Sequence, residues 1–337
     1  MSKPVCLLWL DDFKSYEQAL DSAGIADRFE LHCVKREDKP PEDLIPRVEV
    51  LAGWKPGGLL GRMPKLRWVQ AMTAGVEAWL GAPGLRDEVA LCCARGSHRH
   101  AMSENILGAL FHLTKPYMAV ALDQKASRWN KRQSTLLAGQ TLGILGLGAI
   151  GQELALKAAA LEMRVIGTKR SPEPVEGVEE VYAGDETDDV LRQSDFVVLL
   201  MPATAETDNF INTARLKVMK STAWLLNFAR GSLVADDDLI AAVKNKTIAG
   251  AVLDVFREEP LPATHPFWTT EGILVLPHIG GGHAGRGAVV AEIFAENARL
   301  YLAGEPFATE VDRARGYRAP SAALLRSCHT AAIAASG

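Results

Sequence analysis

The chain has 337 residues, 48% of them hydrophobic and 23% charged, with a formal net charge of −4. That length suits two domains, and the balance excludes a disordered chain and gives no global reason to expect a nucleic-acid partner. No apolar run reaches the length of a membrane span, so no membrane partner is expected. Met1-Ser2-Lys3-Pro4 leads directly into a strand-like segment rather than a signal peptide, which points to the cytoplasm.

In chain order, short β-like runs recur at residues 5–10, 29–34, 48–54, 66–72 and 89–94, separated by polar or helical segments. This alternation predicts a parallel α/β unit. Residues 103–113 then show helical apolar spacing at Ile106, Leu107, Leu110 and Phe111, with no strand before Thr141. The polar, basic stretch 124–133 reads as a bridge between domains or an arm onto a partner subunit. Further strand-like runs follow at 141–145, 163–167, 196–201, 223–228, 249–255 and 273–276, with helical segments such as 236–243 between several of them. A last helix, 288–302, is positioned to return the chain to the first domain, which would make that domain discontinuous. From Ala319 onward the tail is Ala/Ser-rich, and no role is assigned to it. The five cysteines (Cys6, Cys33, Cys92, Cys93, Cys328) are odd in number and lack metal-site spacing. They are read as reduced thiols, and no metal is expected.

The most informative stretch is 141–170. An apolar strand runs into Gly146-Leu147-Gly148-Ala149-Ile150-Gly151, followed by strong helix formers and a second strand. This is a dinucleotide-binding βαβ fingerprint in its required context. Gly146 permits the tight turn, Gly148 lets the backbone approach a pyrophosphate, and Gly151 lets the helix pack closely on the strand. With Ala149 and Ile150, the helix N-terminus offers unpaired N–H groups to phosphates. The second strand ends Gly167-Thr168-Lys169-Arg170-Ser171, without a carboxylate to accept bonds from the adenosine ribose. Lys169 and Arg170 attract a 2′-phosphate and Ser171 adds a hydroxyl donor. NADP(H) is therefore favoured, with NAD(H) as the alternative.

Ligands of open parallel sheets bind beyond the carboxyl ends of the strands. Here those ends carry Arg230, Asp254 with Glu258 and Glu259 shortly after, and His278. The set suits ketone reduction: His278 donates a proton, a carboxylate on its far nitrogen favours imidazolium and fixes the ring, and Arg230 grips a substrate carboxylate. Each residue also has a plain structural explanation, as a surface turn, a strand end or a packed ring. Their joint placement downstream of a nucleotide site is what favours chemistry. His98, His100, His112, His265 and His329 are expected to pack or face solvent, while His283 is close enough to His278 to be kept as a site candidate. Trp54 and Trp268 are candidates to wall a small pocket.

At this point the motifs NFARGSLVADDDLIAAV, GAVLDVFREEPLPATHPFW and LPHIGG resemble, in order and spacing, those of the D-isomer-specific 2-hydroxyacid dehydrogenases. Trp54-Lys55-Pro56, Ala74-Gly75-Val76 and VDRARGY at 311–317 are similar to the glyoxylate/hydroxypyruvate reductase A subgroup. The resemblance implies a catalytic set of Arg230, Glu259 and His278, and substrate-carboxylate binding by the backbone around Ala74, Gly75 and Val76. It also implies a dinucleotide lying against Pro202, Phe228, Ala229, Arg230, Asp254, His278 and Gly280. It further implies two Rossmann-like parallel-sheet domains with the active site in the cleft between them. These would be a flavodoxin-like substrate domain (1–100 with 286–318) and a NADP(H)-binding domain (101–285), the latter joining a homodimer; residues 319–337 extend beyond. Most members carry Ser-Ala-Thr where this chain has Gly281-Gly282-His283.

The expected activity is NADPH-dependent reduction of a small 2-keto acid, glyoxylate or hydroxypyruvate, to the D-2-hydroxy acid. The alternatives are a reductase of bulkier 2-keto acids, or a nucleotide-sensing protein of the co-repressor kind found among relatives.

Overall fold

The computed structural model describes residues 3–54 and 58–313. Lys55 and Pro56, the end of the VDRARGY motif, the 319–337 extension, Cys328 and His329 lie outside the described residues. The chain forms two compact units, one made of the residues up to Ser97 with those from His283 on, the other of His98–Gly282.

In the first unit β1 (Val5–Trp9), α1 (Phe13–Ser22), β2 (Glu30–Val34), β3 (Val50–Gly53), β4 (Trp68–Ala71), α2 (Glu77–Leu80) and β5 (Ala90–Cys92) follow in order. The five strands are all parallel, in the order β2-β1-β3-β4-β5. A parallel sheet covered on both faces needs continuous apolar strands rather than alternating ones, and β3 and β4 are buried at every position. The strand order reverses between β1 and β3, so the loops after β1, β3 and β4 open on a crevice at the carboxyl edge. Asp12 caps α1 there, accepting the Ser15 N–H at 3.2 Å.

The second unit begins with α3 (Arg99–Thr114) and α4 (Tyr117–Lys125). It continues through β6 (Thr141–Leu145), α5 (Ala149–Ala160), β7 (Arg164–Thr168), β8 (Glu180–Tyr182), α6 (Thr187–Gln193) and β9 (Phe196–Leu199). It closes with α7 (Thr213–Val218), β10 (Trp224–Asn227), α8 (Asp236–Lys244), β11 (Gly250–Leu253) and β12 (Ile273–Val275). Its seven strands are also all parallel, in the order β12-β11-β10-β9-β6-β7-β8, with the reversal between β6 and β9. The chain enters this unit at His98, ahead of α3, so the polar stretch 124–133 belongs to it and is not a bridge between domains. Asp123 holds that stretch in place. Its carboxylate accepts two bonds from Arg128, one from Asn130 and two from Arg132, which together hold it well below the usual carboxylate range. Among the described residues no helix is long and apolar enough to cross a membrane, and no cluster of His, Cys, Asp or Glu could hold a metal.

The last helix, α9 (Arg286–Ala303), returns to the first unit. Phe294 stacks on the fully buried Trp68 with ring centroids 5.2 Å apart, and Tyr301 and Phe307 close round the same indole. Beside them the buried Asn297 donates to Gln70 Oε1 at 2.8 Å and Thr309 Oγ1 at 2.7 Å, and accepts the Ala308 N–H at 3.0 Å. Asn297→Ala strands all three partners, and should lower the unfolding free energy by about 2–3 kcal/mol in urea titration. A loss below about 0.5 kcal/mol would show that water replaces this network.

Candidate active site

The turn between β6 and α5 lies at the reversal of strand order. Gly146 has φ +112, and a Cβ there would come within 2.8 Å of the Leu200 carbonyl carbon and the Met201 nitrogen, just past β9. A Cβ at Gly151 would approach the Gly146 carbonyl oxygen to 2.5 Å. Both positions therefore admit only glycine, and the cradle they shape is closed by Leu147, whose N–H reaches Thr168 O at 2.9 Å. The first intrahelical bond of α5 runs from Gln152 N–H to Gly148 O. Ala149, Ile150 and Gly151 thus present N–H groups at the open, positive end of the helix. Pro202 follows Leu200 and Met201 at the same crevice, and its carbonyl accepts from Thr207 Oγ1 at 2.9 Å.

Beyond β7 the basic turn is not free of carboxylates in space. Lys169 Nζ is ion-paired with Glu173, four residues on. Glu173 lies beyond the basic segment 167–171, and the turn through Pro172 brings it back. Arg170 and Ser171 are exposed beside it.

Three strand ends lead into the candidate catalytic residues. After β10 the buried Asn227 shapes the turn, accepting Ala229 N–H at 3.1 Å and donating to Arg230 O at 2.9 Å. Arg230 is half-buried and its Nη1 donates to Ala229 O at 2.7 Å. The same turn abuts the one after β11: a Cβ at Gly231 would fall 2.0 Å from the Phe256 carbonyl carbon. Glu259 is held by both oxygens. Oε1 accepts the Phe256 N–H at 2.9 Å and Oε2 meets His278 Nδ1 at 2.6 Å. A carboxylate only accepts, so Nδ1 carries the hydrogen and Nε2 is the atom that can exchange a proton. The pair is partly open to water, the imidazole side chain being 51% exposed.

Asp254, fully buried past the end of β11, accepts the Ile279 N–H at 2.8 Å and the Gly280 N–H at 2.9 Å. Burial pushes its carboxyl above the usual range, against the lowering pull of those two amides. A Cβ on Gly280 would crowd Asp254, Met102 and Phe228, so these four positions converge. Trp268 is half exposed and its indole N–H donates to Pro262 O at 3.0 Å. His265 serves structure, its Nδ1 accepting the Phe267 N–H, and His100 pairs with Glu153. His98 and Asn105, which carry no motif, reach the loop after His278 through its carbonyls.

In the first unit, Trp54 follows β3 and is flanked by the guanidinium groups of Arg36 and Arg286, 5.1 and 5.2 Å from its ring. Ala74, Gly75 and Val76 follow β4 in a turn that Thr73 closes by donating to Gly75 O at 2.5 Å. Arg286 donates to Met72 O beside them. His283 is exposed and its carbonyl accepts the Arg286 N–H.

Residues 107–280 match the family described as D-isomer specific 2-hydroxyacid dehydrogenase, NAD binding domain. The chain is similar to a glyoxylate reductase of Pyrococcus horikoshii, 42% identical over 177 residues, which is 52% of each protein. A solved D-isomer specific 2-hydroxyacid dehydrogenase family protein of Aeromonas salmonicida is 32% identical, covering 93% of this chain and 100% of that one at a TM-score of 0.82. An NADPH-dependent glyoxylate/hydroxypyruvate reductase of Sinorhizobium meliloti, solved with NADP and sulfate, is 28% identical with a TM-score of 0.77, covering 94% of this chain and 100% of that one. The chain belongs to the D-isomer specific 2-hydroxyacid dehydrogenase family, a class of nicotinamide-dinucleotide oxidoreductases acting on 2-hydroxy and 2-keto acids. The glycine cradle fits that cofactor.

Gly146→Ala forces a side chain against the β9 turn in a left-handed backbone. If the amides of Ala149, Ile150 and Gly151 hold the phosphates of a nicotinamide dinucleotide, its binding, followed by quenching of protein fluorescence, should weaken by about 100-fold or more. Binding within about threefold of wild type would remove the turn from the cofactor site.

Proposed function

We propose that this enzyme reduces a small 2-keto acid, glyoxylate or hydroxypyruvate first among candidates, to the D-2-hydroxy acid, with NADPH preferred. The observation that carries the reading is the 2.6 Å contact of Glu259 with His278 Nδ1, beyond β11 and β12 on the same carboxyl edge of the sheet as the glycine turn after β6. The reduced nicotinamide supplies the hydride when bound. The protein supplies the rest. Glu259 steadies the imidazolium of His278, which gives its Nε2 proton to the keto oxygen. Arg230 grips the substrate carboxylate and polarises the neighbouring carbonyl. Asp254 holds the backbone beside the nicotinamide, and Phe228, Ala229 and Gly280 line it.

The test is loss of NADPH absorbance with glyoxylate or hydroxypyruvate. His278→Ala and Arg230→Ala should each lower kcat/KM on the order of 10³-fold. A wild-type enzyme that turns over no 2-keto acid would return the chain to the nucleotide-sensing reading. Glu259→Gln keeps the shape but replaces the acceptor that holds Nδ1–H, so kcat should fall by about tenfold or more with coenzyme affinity within about threefold. An unchanged kcat would separate Glu259 from the proton donor.

The preference for NADPH rests on Lys169, Arg170 and Ser171, and Glu173 opposes it by holding the lysine ammonium. Lys169→Asp with Arg170→Ala should turn the preference toward NADH, while Glu173→Gln should raise it further toward NADPH, each by about tenfold. If the ratio of kcat/KM for the two coenzymes is unchanged in both variants, this turn does not read the phosphate.

We infer likewise a homodimer joined through the nucleotide-binding unit. Trp129 is 92% exposed and Tyr117 73%, with Met118, Leu122 and Leu136 also open, and Asp123 pins Arg128 and Arg132 on either side of Trp129. An apolar patch of this kind marks an interface. Trp129→Glu with Leu136→Glu should give a monomer by light scattering.

A further inference from the structure

Immediately after the proposed proton donor, the backbone has little to hold itself. His278 sits in the left-handed region at φ +53, which a residue with a side chain adopts only when its surroundings impose it. Gly280, Gly281 and Gly282 follow, the residues with the most conformational freedom to lose. Yet each successive peptide group is tied from outside. Asp254 takes the N–H groups of Ile279 and Gly280. Asn105 Nδ2 donates to Gly280 O at 3.0 Å, and His98 Nδ1 meets Gly281 O at 2.9 Å. Carbonyls only accept, so Nδ1 of His98 carries its hydrogen.

These two donors come from one helix face. His98, the residue before α3, and Met102 and Asn105 within it stand at i, i+4 and i+7, a single stripe. The stripe also fills the room that side chains in the loop would need. A Cβ at Gly281 would lie 2.8 Å from His98 Nδ1 and 3.1 Å from its Cγ, and one at Gly280 would lie 2.7 Å from Met102 Sδ. The glycines and the stripe are therefore complementary: the loop lacks side chains where α3 inserts its own.

We propose that His98 and Asn105 are positioning residues, which hold the Gly280 and Gly281 carbonyls and so set the imidazole of His278 against Glu259. The proposal rests on His278 as proton donor. Neither residue touches the reacting atoms; they act through the backbone of the loop. Proton transfer is sensitive to such placement, since a displacement of about 1 Å at a reacting group can lower rate by about 100-fold.

The test compares His98→Ala, Asn105→Asp, Gly281→Ala and the double variant His98→Ala/Gly281→Ala with wild type and His278→Gln, using NADPH and glyoxylate. Asn105→Asp keeps the shape but sets an acceptor against the Gly280 carbonyl. The expected result is a fall in kcat of about tenfold or more for each single variant, with NADPH affinity within about threefold and thermal midpoints within a few degrees of wild type. Removing the His98 ring vacates the space a methyl at 281 needs, so the double variant should be no slower than His98→Ala alone. Three results would overturn the proposal: single variants with kcat within about twofold of wild type, losses confined to coenzyme affinity or to folding, or effects of His98→Ala and Gly281→Ala that multiply. Wild-type turnover by His278→Gln would instead sink the assignment of the proton donor. Inactivity of that variant beside intact His98 and Asn105 variants would sink only the positioning role.

Discussion

Every ladder in both sheets is parallel, and this one constraint organises the molecule. A parallel neighbour requires the chain to cross back over a face, so helices cover both sides and every strand delivers its carboxyl end to the same edge. Gly146, Pro202, Arg230, Asp254 and His278, spread over more than a hundred residues, are thereby delivered to one rim of the seven-stranded sheet. Where β6 and β9 are neighbours their following loops leave in opposite senses, and the gap so made is shaped by the close approach of Gly146 to the Leu200–Met201 peptide. Chemistry on this rim needs only short side-chain contacts: a carboxylate on an imidazole, another on two amides, an asparagine pinning the arginine turn.

Both sheets and the glycine turn were legible in the sequence because their physical cause is local. Buried parallel strands are apolar runs, and a glycine at φ +112 is demanded by the turn itself. The edge strand β8 was not legible. Its three residues are partly exposed, and it exists only because β7 offers it hydrogen bonds. The first turn of α3 was hidden for a different reason, since it buries Arg99, a charge that breaks the apolar pattern. α4 presents Tyr117, Met118 and Leu122 to solvent, so it carries no inward stripe to detect.

At the site, His278 and a group of nearby carboxylates could be found from their places at strand ends, while Glu259 was singled out among them by the family resemblance; the structure puts the two residues 2.6 Å apart. Asn227 leaves no signal of its own in NFARG, because its work is done on the backbone of the next three residues. His98 and Asn105 escaped for the same reason: a side chain that serves a distant carbonyl leaves no spacing to read. The ion pair of Lys169 with Glu173 depends on a turn through Pro172, which residue order alone does not close.

The discontinuity of the first unit carries a temporal consequence. Trp68 emerges from the ribosome long before Phe294, its stacking partner, and Asn297 completes the polar core around Gln70 later still. At ordinary elongation rates the five nascent strands wait on the order of ten seconds or more for the helix that seals them. The unit whose synthesis starts first is thus the one whose hydrophobic face closes last, after the intervening nucleotide-binding sheet has all its strands.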